Sequence, residues 1–557
     1  MKNLKEEDWR QSVIYQIYPR SFKSHSNRPA GDLRGIIEKL DYLEFLGIDY
    51  IWLTPVYKSP QRDNGYDVSD YYQLDESYGT VADWEELAAE AKRRRIGIIM
   101  DIVVNHTSTE HAWFQEAARS RNSACRDFYI WRDRPNNWVS KFGGPAWQYD
   151  AATGQYYLHL FDRTQADLNW ENPAVREKVY EMMRFWVNKG VSGFRLDVIN
   201  LISKDREFPD DPDGDGRRFY TDGPRVHDYL QEMHRAVFTS ADVLTVGEMS
   251  SSSLEHCARY SCPERRELNM TFSFHHLKVD YPQGEKWVKA DFDFLALKQI
   301  LSDWQTGMHR EGGWNALFWC NHDQPRVVSR FGDDGRYRVV SAKMLATALH
   351  MLQGTPYIYQ GEEIGMTNPG FSSIEKYRDV ETLQAYAAKI KAGLDPAAVM
   401  AAIGQKSRDN ARTPMQWDDS PYAGFSAVEP WIAVAPNYKE INVKKSLQDL
   451  ESVFYHYQRL IELRKTYPVV TEGEYELLLA GHPAVWAYLR KGQGEILLVV
   501  NNFFPYAAAV SLPAHAVPDN WQREVLISNY PAMALKSRSL ALKPYESVVY
   551  RFWQNGA

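Results

Sequence analysis

Residues 81–105 read VADWEELAAEAKRRRIGIIMDIVVN. A helical repeat over 82–94 runs directly into a largely apolar stretch, 96–104, interrupted by Asp101, that reads as a strand. Upstream, SVIYQIY (12–18) reads as a strand. Leu33, Ile36, Ile37, Leu40 and Leu43 then recur at helical spacing, Gly47 closes that helix, and YIWL (50–53) is the next strand. The resulting βαβαβ order requires parallel strands with helices outside them. Downstream, residues 105–173 are rich in Trp, Asn, Asp and Gly with no clear period, and read as an insertion. Alternation resumes with helix 174–188, strand 193–198, helix 226–238, strand 243–246, strand 316–319, helix 339–352 and strand 356–359. The count is about eight βα units, so the expected fold class is α/β, a (β/α)8 TIM barrel. A polar insert is expected near 368–438 and a last barrel helix at 450–467. From about 471 the pattern changes to short alternating strands, 475–479, 485–489 and 496–500. The expected domains are a barrel of 1–104 and 174–470, an inserted subdomain of 105–173, and a C-terminal antiparallel β-sandwich domain of 471–557.

The chain has 557 residues, a formal net charge of −8, 44% hydrophobic and 25% charged residues. A net negative chain is a poor partner for nucleic acid, and an anionic small substrate would need a local basic pocket. The 18 Trp and 34 Tyr are numerous enough to supply platforms for sugar rings as well as core. Cys125, Cys257, Cys262 and Cys320 have no metal-binding spacing; only Cys257 and Cys262 are close enough in sequence for a local pair, and reduced thiols are expected. The charged start MKNLKEEDWRQ and the lack of an apolar run of about 20 residues predict neither export nor a membrane anchor, hence a cytoplasmic location.

In a TIM barrel the C-terminal strand ends carry the chemistry. Here those ends deliver Asp101, Asn105 and His106, then Arg195 and Asp197, then Glu248, then His322 and Asp323. Like charges held together repel, so one proton should stay on the set at neutral pH. One ionised and one protonated carboxyl is what glycoside hydrolysis requires. A lone aspartate after a strand more often caps a helix; a set on successive strands is a different matter. Arg195, two residues before Asp197 and on the same strand face, should keep that carboxylate ionised.

DIVVNHTS (101–108), GFRLDVIN (193–200), TVGE (245–248) and NHDQPR (321–326) resemble the four signature segments of the α-amylase family of glycoside hydrolases. QADLNW (165–170) and GTPYIYQGEE (354–363) resemble its auxiliary segments. Six segments in order make a specific match. The resemblance implies Asp197 as nucleophile of a covalent glucosyl intermediate, Glu248 as general acid/base and Asp323 on the 2- and 3-hydroxyls. Retention then needs the two carboxyls about 5–5.5 Å apart. It implies sugar contacts from His106 and His322. Asp63 and Tyr66 in DNGYD (63–67) and Arg412 in RDNARTPMQW (408–417) are expected to enclose the terminal glucose, Asp63 pairing with Arg412. Phe161 and Gln165 are weaker candidates for that pocket.

RDNARTPMQW, GEEIGMTN (361–368) and Val198 after the nucleophile resemble a branch acting on α-1,6-linked oligosaccharides or trehalose 6-phosphate. MTFSFHHLKVDYPQGEKW (270–287) with GDGRRFYTDGPR (214–225) favours the phosphorylated disaccharide. Neutral-sugar enzymes of the branch carry carboxylates where this chain has His275 and Lys278. Lys278, His275, Lys286 and Lys289 are therefore the expected phosphate ligands, with Arg217 and Arg218 additional. The expected reaction is retaining, exo-acting hydrolysis of trehalose 6-phosphate to glucose and glucose 6-phosphate. The alternatives are an oligo-1,6-glucosidase or broad α-glucosidase, and a transglycosylase or sucrose isomerase. No cofactor is expected: where relatives resemble DSNGDGIGD, a calcium loop, this chain has SHSNRPAGD (24–32), with most acids gone and Arg28 added. DPDGDG (211–216) reads as a solvated acidic turn. A monomer is expected.

Overall fold

In the computed structural model the described residues are 9–554, save 26–27, 240–242, 532–534 and 536. The chain divides into two compact units, residues 32–37 with 51–274, and residues 1–31 with 38–50 and 275–557. Eight short parallel strands are shared between them: β1 Ile14–Ile17, β2 Tyr50–Leu53, β3 Gly97–Ile102, β4 Gly193–Leu196, β5 Leu244–Glu248, β6 Met270–Phe272, β7 Ala316–Leu317 and β8 Thr355–Tyr359.

The unit containing 51–274 orders its strands β6-β5-β4-β3-β2. All residues of β3, β4, β5 and β6 are buried, which is why they read as runs rather than alternations. Register places Arg195 beside Asp101 on one side and Val246 on the other. Helix Val81–Arg93 begins with a capping box at Thr80 and Asp83. It packs Trp84 edge-on to Trp186 of helix Pro173–Asn188 at 5.1 Å. The segment expected to be inserted carries one short helix, Ala112–Ala117, and a three-stranded sheet in the order Trp131–Arg132, Gln155–Leu158, Trp147–Asp150. A two-stranded antiparallel ladder joins His106–Ser108 to Gln165–Asp167. Its apolar cluster of Ile130, Trp138, Trp147, Leu158 and Leu160 includes Val198 and Leu201, which follow β4. The loop after the proposed nucleophile is thus packed into the core of this segment.

The other unit holds β1-β8-β7. The predicted polar insert contains the helices Val380–Lys391 and Pro396–Lys406, capped by Asp379 and Asp395, and the single turn Asp409–Arg412. The first buries only Thr382, so no apolar stripe marked it. The helix expected over 226–238 is α-helical only over Val226–Met233 and continues as a π turn, His234–Phe238. At the C-terminal end, five antiparallel strands run Glu474–Leu478, Val485–Gly492, Glu495–Asn502, Ser547–Trp553, Gln522–Ser528 in spatial order. All four cysteines are free thiols, Cys257 and Cys262 included. Among the described residues, no helix is long and apolar enough to cross a membrane.

Candidate active site

Arg195 is the hub of the first group. Its guanidinium is 1% exposed and meets three carboxylates: Nη1 donates to Asp101 Oδ1 at 2.8 Å and Asp197 Oδ1 at 2.6 Å, and Nη2 lies 2.6 Å from Glu248 Oε2. Adjacent parallel strands in register, together with the period-two repeat that puts 195 and 197 on one face, produce this convergence. Glu248 Oε2 also accepts from the backbone N–H of Val198 at 3.1 Å. Val198 holds φ = 37°, an expensive conformation for a β-branched residue, and one found where geometry serves a site.

Three acids facing one base leave an excess of negative charge. Burial raises the pKa of Asp197 to about 6, against the downward pull of Arg195. Asp101 rises to about 6 for the same reason. Desolvation and the neighbouring Asp101 outweigh the shared guanidinium, yet a pKa of about 6 leaves Asp197 mostly ionised at pH 7, the state that Arg195 was expected to favour. Asp101 is fully buried and also accepts from Trp52 Nε1 at 3.2 Å and the Tyr66 hydroxyl at 3.0 Å, so its part is to hold Arg195 and Tyr66.

The remaining pocket candidates of this unit form a linked wall. Gln165 Nε2 donates to Asp63 Oδ2 at 3.1 Å and lies 3.3 Å from His106 Nε2. His106 Nε2 faces the Tyr66 carbonyl at 3.2 Å, and Phe161 sits 5.1 Å from the imidazole, ring to ring. Burial lowers the His106 pKa to about 4, so it is a neutral donor at pH 7.

The second unit gathers His322, Asp323 and Arg412. Arg412 is fully buried; its Nη2 donates to Asp323 Oδ1 at 2.6 Å and its Nε to the His322 carbonyl at 2.8 Å. His322 Nδ1 accepts from Gln16 Nε2 at 2.7 Å, which puts the ring proton on Nε2, 3.4 Å from Asp323 Oδ2. Arg408 and Asp379 complete the group. Arg408 donates to Asp379 Oδ1 at 2.8 Å, and its Nη1 is 3.4 Å from Asp323 Oδ1. Burial pushes the Asp379 carboxyl up, but Arg408 and Arg412 hold it well below its ordinary value. Gln16, Asp379 and Arg408 escaped the sequence reading. Arg408 was detectable, four residues before Arg412 at helical spacing; Asp379 and Gln16 carry no local signal.

The expected phosphate ligands do not share one environment. Lys278 is exposed at the end of the turn His275–Lys278. His275 packs at a tilt against Trp304, 5.3 Å ring to ring, and burial, then the Lys278 charge, lower its pKa, so it brings no charge at pH 7. Lys286 Nζ lies 2.7 Å from both oxygens of Glu381; burial depresses this ammonium, but the Glu381 carboxylate outweighs it and its pKa is raised. Lys289 is exposed. Arg217 pairs with Asp215 at 2.9 Å and Arg218 with Asp211 at 2.7 Å, so both are engaged within their own loop. Asp211 is buried and its other oxygen accepts from the Gly216 N–H, making 211–216 a self-satisfied turn. In the stretch 24–32, Ser26 and Asn27 lie outside the described residues.

Residues 16–473 match the α-amylase catalytic domain, and residues 485–549 the C-terminal domain of the α-amylase SusG. The chain belongs to the α-amylase family of glycoside hydrolases, and its catalytic fold is the (β/α)8 barrel of that family. It is 60% identical to a trehalose-6-phosphate hydrolase of Bacillus subtilis (strain 168), over 99% of each chain. It is 56% identical to the protein of that name from Escherichia coli (strain K12), over 97% of this chain and 98% of the relative. The crystal structure of the Bacillus licheniformis trehalose-6-phosphate hydrolase superposes with a TM-score of 0.95 at 60% identity, covering 98% of this chain and all of that one.

Proposed function

We propose that this protein hydrolyses trehalose 6-phosphate to glucose and glucose 6-phosphate with retention of configuration. One observation carries the chemistry: Asp197 and Glu248, from adjacent strands, reach the same buried guanidinium. Asp197 attacks the anomeric carbon of the unphosphorylated glucose as Glu248 gives its proton to the bridging oxygen, and glucose 6-phosphate departs. Glu248, now a carboxylate, takes a proton from water; the water oxygen bonds to the anomeric carbon and Asp197 leaves. Arg195 neutralises whichever of the two is charged. Asp323 holds the 2- and 3-hydroxyls, oriented by Arg412 and Arg408, and neutral His106 and His322 donate to sugar hydroxyls. Asp63, Tyr66, Gln165 and Phe161 wall the terminal glucose.

The phosphate is held chiefly by Lys278, with His275, Lys286 and Lys289 as further ligands. Lys286 enters this role only by exchanging its Glu381 partner for the phosphate. No metal or cofactor takes part, since the carboxylates and the guanidinium supply every charge the two steps need. The protein works as a monomer in the cytoplasm, a setting that suits four unpaired thiols.

Side-by-side hydrolysis of trehalose 6-phosphate, trehalose and isomaltose tests this reading, with the first-formed glucose anomer followed by NMR. Preference for the phosphorylated sugar and release of α-glucose first are expected. Faster turnover of isomaltose would replace the substrate assignment, and β-glucose first would remove Asp197 as nucleophile.

A further inference from the structure

A cavity of about 700 Å³ lies in the unit that carries Asp197, and its lining shares no residue with the group around Arg195. That volume suits a small organic ligand. Its wall holds four cationic side chains, Arg121, Arg126, Lys204 and Arg206, against two carboxylates, Asp127 and Glu171. Three of the cations are ion-paired, Arg121 with Asp133 at 3.2 Å, Lys204 with Asp167 at 2.9 Å and Arg206 with Glu171, whereas the buried Arg126 donates to the neutral acceptors Ala117 O, Thr153 Oγ1 and Gln155 Oε1, so an anion in the cavity would supply a counter-charge for it.

The cations are placed in advance. Arg121 is tied to the carbonyls of Thr153 and Gly154 at 2.8 and 3.1 Å. Arg126 is buried, lies 3.4 Å over the Trp131 ring and donates to the Ala117 carbonyl at 2.8 Å. Glu171 is already shared between Arg206 and Arg225, so it cannot neutralise Arg206 fully. Amides of Gln155 and Asn169 and the rings of Tyr129 and Trp170 line the rest, a mixture suited to a polyhydroxylated ring.

The wall is also connected to the catalytic machinery. Ile202, Lys204, Arg206 and Phe208 belong to the segment 198–208, which begins one residue after Asp197. Lys204 Nζ reaches Asn105 Oδ1 and Asp167 Oδ1, each at 2.9 Å, and Asn105 Nδ2 is 3.2 Å from His106 Nδ1. A ligand that moves this segment moves groups joined to Asp197 and His106.

We propose that this cavity is a second binding site, for a small phosphorylated sugar, whose occupancy alters turnover through segment 198–208. The choice of glucose 6-phosphate as its ligand rests on the reaction proposed above; the cavity does not. Calorimetric titration of the full chain with glucose 6-phosphate, glucose or inorganic phosphate tests it, comparing wild type with the Arg121→Glu/Arg206→Glu variant. Both side chains are exposed, and the variant should keep its turnover of an uncharged aryl glucoside within about 2-fold. Wild type should bind one more equivalent of glucose 6-phosphate than the variant, and show a non-competitive component of inhibition that the variant lacks. Equal stoichiometry in the two proteins overturns the site, and an extra equivalent taken equally by inorganic phosphate overturns the sugar assignment. Should the proposed reaction be wrong, the active-site equivalent vanishes from both proteins while the difference of one between them remains. The single Arg206→Gln variant, which removes charge without reversing it, serves if the double variant does not fold.

Discussion

Around Arg195 three carboxylates compete for one positive charge, and this imbalance sets the pH behaviour of the residue that must attack. Asp197 is reactive only when ionised, and its pKa is raised to about 6. On the acid side, kcat/KM should therefore fall with an apparent pKa near 6, measured with an uncharged aryl glucoside to keep substrate ionisation out of the profile. Stability should run the other way. The folded carboxyl keeps its proton to about pH 6 and the unfolded one only to about 3.8, so protonation favours the folded state. That contribution is complete below pH 3.8 and is lost as pH rises through 6. Asp197→Asn should thus lower kcat by about 10⁴-fold or more, yet melt a degree or two higher than wild type at pH 7, with no difference at pH 3.5. A lower Tm at pH 7 would mean that Arg195 needs this particular charge. At the other end of the substrate, Lys278→Ala should raise KM for trehalose 6-phosphate about 10-fold or more while leaving the aryl glucoside nearly unaffected. Equal loss on both substrates would remove Lys278 from phosphate binding. Lys286→Ala should cost less, because phosphate must first displace Glu381 from that ammonium.

For single elements, close packing of the strands decides what is tolerated. Gly193 opens β4, and a Cβ there would sit 2.6 Å from the Leu244 carbonyl and 3.0 Å from Ile99 Cγ1. Gly193→Ala should push β4 away from β5 and so pull Arg195 from Glu248. Activity should drop even where circular dichroism still reports a folded chain. The outer helices obey the same logic at lower resolution. Trp84 is fully buried, edge-on to Trp186, with its Nε1 donating to the Lys189 carbonyl at 3.0 Å. Trp84→Ala should cost about 3–5 kcal/mol in urea unfolding, far more than the roughly 1 kcal/mol of Thr80→Ala at the cap of the same helix. The helix at 380–391 illustrates the limit of periodicity: it buries only Thr382, so its sequence carries an Asp cap but no buried stripe, whereas the helix at 396–406 buries Val399, Ala402, Ile403 and Lys406 on one face.

Across the whole molecule, the C-terminal sheet packs on helices of its own compact unit. Lys298, on helix Phe294–Arg310, reaches the carbonyls of Leu479, His482 and Val485, and its pKa falls to about 8 through burial. The Tyr488 hydroxyl donates to the Ala348 carbonyl at 2.8 Å, and Ser302 Oγ meets the Tyr475 hydroxyl at 2.7 Å. Removing the sheet would uncover these polar atoms together with the apolar faces around them. A chain ending at residue 473 should therefore aggregate on expression; a soluble truncated chain with full activity would show the sheet to be dispensable.

Most strand positions and the barrel class were legible in the sequence because each depends on local order; strand Met270–Phe272 and the helices Phe294–Arg310, Val380–Lys391 and Pro396–Lys406 were not read. Apolar runs set the strands; Asp197 directly follows β4, and Glu248 is the last residue of β5. What tertiary structure alone decided is every relation between residues far apart in sequence: Gln16 fixing the tautomer of His322, Asp379 drawing Arg408 and Arg412 together, Glu381 occupying Lys286, and a pKa for Asp197 set by burial more than by its neighbour Arg195. Periodicity and spacing report how a residue relates to the next turn or the next strand position. They carry no information on which distant charge shares its dielectric, and that is where the energies of this site are set.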